Sequence, residues 1–199
     1  MPANPDPFAR VDPSDDGVFY SLDRKVTHIE GGAIEALRQY YGSIIPPGAR
    51  VLDLMSSWRS HLPAGLGPVT GLGMNAAEMA DNPALTGGFI VHDLNRQPRL
   101  PFRAAAFDAC VCSVSVQYLI RPIEVWAEVR RVLQPGGPCA VSISNRCFPT
   151  KAILLWRATA DGDHVQLVSR YLAEAGFDRV GAAALESPDD PVWVVAGRS

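Results

Sequence analysis

The chain has 199 residues, 47% of them hydrophobic, which suits one globular domain with a sizeable core. Its 18 basic and 21 acidic residues leave a net charge of −3 and a pI near 5.8, which excludes a strongly cationic nucleic-acid or membrane-surface binder as the default. All but two of the basic residues are arginine, and the two lysines, Lys25 and Lys151, read as a by-product of genome composition.

Residues 1–13 carry four prolines and two acids, with no basic start leading into an apolar run, so no secretory signal is expected. No uninterrupted apolar stretch of about 18 residues predicts a membrane span. Residues 1–30 read as an N-terminal arm or lid, and 31–199 as the folded domain. A helix is predicted over 32–41, with Ile34, Leu37 and Tyr41 at helical spacing, before Pro46-Pro47-Gly48 breaks the chain. Val51–Leu54 predicts a buried strand, followed by a short helical or loop piece and a second strand over Val69–Gly73. Ala76–Ala80 starts a helix that Asn82-Pro83 stops. Strands follow over 89–93 and 107–114. An amphipathic helix over 122–133 places Ile123, Trp126, Val129 and Leu133 on one face and ends at Pro135-Gly136-Gly137. A fifth strand covers 139–144, helices lie near 151–159 and 164–175, and strands over 180–185 and 192–196 form a closing hairpin. This alternation predicts an α/β fold: a mostly parallel Rossmann-like sheet with helices on both faces and an antiparallel C-terminal strand. Ligands on such sheets bind beyond the strand carboxyl ends, so the residues just after each strand are the functional candidates.

Four cysteines fall between Cys110 and Cys147. Cys110 and Cys112 alternate on an apolar run, as reduced packed thiols do, and this CxC spacing with no nearby histidine argues against a metal site. A cytoplasmic setting is expected.

Leu100-Pro101-Phe102, Ala106–Cys112, Tyr118-Leu119 and Arg130–Gly137 together resemble the LPF…FDxV…RVLxPGG series of small-molecule class I S-adenosylmethionine-dependent methyltransferases of the methyltransferase type 11 kind. The resemblance covers roughly 31–197 and implies seven strands with an antiparallel seventh. It also implies an acidic residue ending strand one and then a glycine-rich loop whose backbone amides approach the methionine part of the cofactor. Here the segment reads Asp53-Leu54-Met55-Ser56-Ser57-Trp58-Arg59-Ser60-His61, and no glycine lies between Gly48 and Gly65. The acid expected at the end of strand two is replaced by Gly73, with Asn75 two residues on as the candidate partner for ribose hydroxyls.

The cofactor set implied by the resemblance is Asp53, Met55, Ser56, Ser57, Gly73, Met74, Asn75, Asp93, Leu94 and Ser113. The loop is read as reshaped, with the Ser56 and Ser57 hydroxyls adding contacts. His61 offers a general base near the cleft and Tyr118 a hydroxyl to orient a nucleophile. His28, Trp58 and Arg146 are substrate-side candidates, Arg146 for an anion. Each has an ordinary alternative: Asp93 as a turn aspartate, Tyr118 as packing, Arg146 as a solvated loop arginine, His61 as a surface histidine.

The resemblance implies methyl transfer from S-adenosylmethionine to a small-molecule acceptor by in-line attack, with positioning as the main source of rate. No nucleic acid, membrane or metal partner is expected, and a homodimer is compatible with the reading. The Asn-Pro-Pro-Tyr signature of nucleic-acid amino methyltransferases is absent. The alternative is a diverged, non-catalytic nucleoside-binding module, for which the missing glycines speak. A dinucleotide oxidoreductase lacks both its glycine motif and its acid here.

Overall fold

A computed structural model describes residues 5–199. Seven strands form one sheet in the order β3-β2-β1-β4-β5-β7-β6. They are β1 (Val51–Leu54), β2 (Val69–Gly73), β3 (Phe89–Val91), β4 (Ala109–Ser113), β5 (Pro138–Ser144), β6 (Asp178–Leu185) and β7 (Val192–Arg198). The first five are parallel, and β7 runs antiparallel to both β5 and β6. The chain order reverses between β1 and β4, which puts the switch point at the carboxyl ends of those two strands.

The period-two alternation of the strands divides the core. Leu52, Leu54, Cys110 and Cys112 pack with Trp126 and Val129 of α4 (Pro122–Val132) and Leu172 of α6 (Asp161–Glu174). Val51 and Val111 face the other way, onto Ile34, Leu37 and Tyr41 of α2 (Gly31–Ile44). Asp53 has the parity of Val51, so its carboxyl points to the α2 side.

Two crossovers depart from the alternating pattern. Residues 55–68, between β1 and β2, contain no helix, so that connection is a loop throughout. No helix interrupts 92–108 either. The helix predicted near 151–159 shortens to α5 (Leu154–Arg157), and the strand predicted over 89–93 ends at Val91. As an edge strand with no covering crossover helix, β3 leaves Phe89 and Val91 exposed, unlike the buried strands of the sheet centre. All four cysteines are free thiols; three are buried and Cys147 is half-buried. Among the described residues no helix is long and apolar enough to cross a membrane, and no cluster of potential metal ligands occurs.

Both lysines hold the N-terminal arm, which contains the short helix α1 (Asp16–Phe19). Lys151 is fully buried, and its Nζ lies 3.1 Å from Asp12, 3.2 Å from Asp16 and 2.9 Å from the Ser14 carbonyl. Arg10 reaches both oxygens of the same buried Asp16 at 2.7 Å. Lys25 pairs with Asp81 just past α3 (Ala76–Ala80). A bias that composition explained away therefore coincides with a structural role.

Candidate active site

A cavity of about 140 Å³ opens at the carboxyl ends of β1, β2 and β4, where the topology predicts a ligand. Its floor is Asp53 and the loop Met55–Arg59; Gly73–Asn75 and Glu78 form one side; Asp93–Asn95, Ser113–Ser115 and Tyr118 form the other. The arm supplies the roof through Tyr20, Arg24 and Val26–His28.

The residue directly after β1, Met55 (φ 57°), and the one directly after β4, Val114 (φ 47°), are both in the left-handed region. The loop thus keeps, at Met55, the backbone conformation that a glycine supplies without strain. Met55→Gly is expected to be about 1 kcal/mol more stable than Met55→Ala, although glycine costs more chain entropy. Denaturant unfolding of the two variants checks this, since both lose the Met55 side chain beyond Cβ.

Asp53 is 4% exposed and accepts hydrogen bonds on Oδ2 from Ser56 Oγ (2.7 Å) and Ser60 Oγ (2.5 Å). Among the described residues no lysine, arginine or histidine pairs with it. Burial pushes its pKa up, and the two serine hydroxyls pull it back. A buried carboxylate without a counter-cation, on the floor of a cavity, suits a ligand ammonium group.

Gly73 is explained by the same loop. A Cβ there would meet the Ser56 carbonyl oxygen at 2.2 Å and Met79 Sδ at 3.0 Å. The loop crosses the end of β2 at this point, fixed by Ser56 N–H donating to the Leu72 carbonyl at 2.9 Å. No side chain, acidic or other, fits at position 73.

Asn75 does not offer the free amide expected of it. Its Oδ1 caps α3 by accepting from Glu78 N–H, and its Nδ2 donates to the Tyr20 carbonyl and to Asp23. The acid near this position is Glu78, in the first turn of α3 and 8% exposed. Its carboxylate does not turn back to close a capping box. It accepts instead from the Arg24 backbone N–H and from Ser57 Oγ. The spacing Asn75-x-x-Glu78 marks a helix start in the sequence, but nothing local signals that this glutamate is buried.

The remaining expected residues divide. Ser57, Met74, Leu94 and Ser113 line the cavity, and Ser113 Oγ shares a 3.1 Å hydrogen bond with Tyr41. Asp93 lines it as well, but its Oδ1 accepts from the backbone N–H groups of Asn95 and Arg96, as a turn aspartate does. Tyr118 accepts from Phe148 N–H at 2.8 Å and stacks on that ring; burial pushes its pKa up, so its phenol stays protonated. His28 packs edge-on against Phe148, and burial lowers its pKa. Trp58 donates its indole N–H to the Val26 carbonyl at 3.1 Å and so clasps the arm. Arg146 is a correction: it is not among the lining residues, and it pairs with Asp190 at 2.6 Å and Glu30 at 3.2 Å, joining the start of α2 to the β6–β7 turn. His61 is a second correction. It is buried rather than on the surface, and burial, with Arg59 next, pushes its pKa down to about 4, a weak base at neutral pH.

This Rossmann-like sheet, with the cavity at its switch point, is the fold of solved S-adenosylmethionine-dependent methyltransferases. Residues 64–141 match the family described as a methyltransferase domain. A stretch of 66 residues, 33% of the chain, is 33% identical to the biotin biosynthesis bifunctional protein BioHC of Teredinibacter turnerae, and covers 12% of that protein. An S-adenosylmethionine-dependent methyltransferase from Aquifex aeolicus superposes with a TM-score of 0.62 at 14% identity, over 92% of this chain and 96% of that one. Phosphoethanolamine N-methyltransferase 2 of Haemonchus contortus, in complex with S-adenosyl-L-methionine, gives 0.60 at 12% identity, over 94% of this chain and 57% of that one.

Proposed function

We propose that the chain transfers a methyl group from S-adenosylmethionine to a small-molecule acceptor. The observation that carries this reading is Asp53: a buried carboxylate without a cationic partner, at the end of β1 in this fold, facing a cavity. When bound, the cofactor supplies an electrophilic sulfonium methyl group. Asp53 would hold its amino group, with Ser56 and Ser60 orienting the carboxylate. Glu78 takes the place of the missing acid at position 73 as acceptor for ribose hydroxyls. Each of its oxygens already accepts one hydrogen bond and keeps a second lone pair. Acceptor molecules meet the aromatic side of the cavity, formed by Tyr20, Tyr118 and Phe148. The roofing arm excludes water there.

One observation favours a second reading, a diverged binding module. In open α/β sheets an anionic ligand group commonly rests on the helix N-terminus that follows the first strand, and here 55–68 contains no helix. Incubation with methyl-labelled S-adenosylmethionine and a panel of small hydroxyl, amine and thiol compounds separates the two. The enzyme reading predicts acceptor-dependent release of S-adenosylhomocysteine, lost in Asp53→Ala. Tight binding of S-adenosylhomocysteine without transfer to any panel member selects the binding module.

A further inference from the structure

His61 has hydrogen-bonding capacity that nothing among the described residues uses. It is 7% exposed and lines the cavity. Its Nδ1 is shut off from solvent and has no hydrogen-bond partner. Its Nε2 makes no hydrogen bond with the described residues either but is not among the fully buried unpartnered atoms, so it is the less enclosed ring nitrogen of a residue that lines the cavity.

A neutral imidazole carries one N–H. Placing the hydrogen on Nδ1 would bury a donor with no acceptor, whereas an unpaired lone pair at that position costs less. The hydrogen therefore sits on Nε2, and His61 presents a donor to the cavity. Arg59 and Arg38 act on the ring as positive neighbours, so the local field favours an anion opposite that donor. The absence of a helix after β1 removes the usual backbone donors for an anionic group at this end of the cleft.

We infer that His61 is a hydrogen-bond donor that anchors a ligand carboxylate in the cavity, in place of the helix N-terminus this chain lacks. Two molecules can bring that carboxylate: the methionine part of the cofactor, which rests on the cofactor reading above, or an acidic acceptor, which does not.

Calorimetry on the full chain has one arm for each source. The first compares S-adenosylhomocysteine with its decarboxylated analogue. The second compares benzoate with benzyl alcohol, on free and on S-adenosylhomocysteine-saturated protein. In one arm the wild type is expected to prefer the carboxylate by about tenfold or more. His61→Leu should erase that preference, and His61→Gln, which keeps a donor at similar reach, should retain much of it. The arm that responds identifies the source. If His61→Leu leaves the wild-type ratio unchanged in both arms, or neither arm shows a preference, the proposal is wrong. Failure of S-adenosylhomocysteine to bind wild type would overturn the cofactor reading alone, and the benzoate arm would still test His61. Should His61→Leu fail to fold, the imidazole ¹⁵N resonances of wild-type His61 serve instead. They should show the Nε2–H tautomer and shift with carboxylate ligands but not with their neutral counterparts; the Nδ1–H tautomer, or no selective shift, contradicts the inference.

Discussion

Asp53→Ala is expected to weaken S-adenosylhomocysteine binding by about 10- to 100-fold, the range of one hydrogen bond to a charged group. The same substitution should leave the fold as stable as wild type, or more so. Asp53 is a buried carboxylate with no cation beside it, and burial raises its pKa, so its ionised form costs stability in the empty protein. The sign follows from linkage. A carboxyl with a raised pKa in the folded state favours folding at low pH and loses that contribution as pH rises through its folded value. Near neutral pH its removal relieves a penalty, offset by the loss of two serine hydrogen bonds. A variant that binds poorly yet melts at or above the wild-type temperature identifies a ligand-holding residue. If Asp53→Ala melts far below wild type, the carboxylate is structural instead.

The second large effect lies at the arm. Lys151→Met removes the fully buried ammonium group and leaves the Asp16 carboxylate to Arg10 and Asn95. Breaking a buried ion pair of this kind typically costs about 3–5 kcal/mol, and the surviving Arg10 contact places the expected loss at about 3 kcal/mol. Urea unfolding measures it, and limited proteolysis should find new cuts between residues 14 and 28. Unchanged stability and protection would show that the lysine does not secure the arm. The pH dependence has a definite sign. Asp12 is held down to about 2, first by the Ser14 hydroxyl and backbone and then by Lys151. For Asp16 burial works upward, but Arg10, Asn95 and Lys151 outweigh it and keep the pKa below 3.8. Depressed carboxyl pKa values stabilise above the ordinary value of 3.8, and that stabilisation is lost as pH falls toward 2. Pepsin cleavage of the arm should therefore rise between about pH 4 and pH 2.

The sheet was legible because its information is local. Near-continuous apolar runs, helical spacing at Ile34, Leu37 and Tyr41, and the Pro135-Gly136-Gly137 release all act within a few residues of themselves. The strand positions follow from those runs; the order of the strands in the sheet, which sets the switch point, does not. The departures lie where distant segments meet. Gly73 reads as a missing acid, but the Ser56 carbonyl occupies the space of its side chain. Met55 looked like a lost glycine, yet its backbone keeps the left-handed turn. Glu78 has the sequence context of a solvated first-turn glutamate; its burial depends on the arm, 54 residues earlier in the chain. Arg146 was a reasonable anion ligand by position after β5, but Asp190 and Glu30, far away in sequence, use it. Long-range ion pairs leave no periodic trace. The scarcity of lysine reads as genome composition, and nothing local to Lys25 or Lys151 shows that each pairs with a distant aspartate.

The central proposal is that the glycine-free loop, with no helix behind it, holds S-adenosylmethionine. Titration calorimetry of the full chain with S-adenosylmethionine and with S-adenosylhomocysteine tests this directly. Saturable one-to-one binding of both, weakened in Asp53→Ala, is the predicted result. No heat from either ligand at about millimolar concentration, with a properly folded protein, would contradict it.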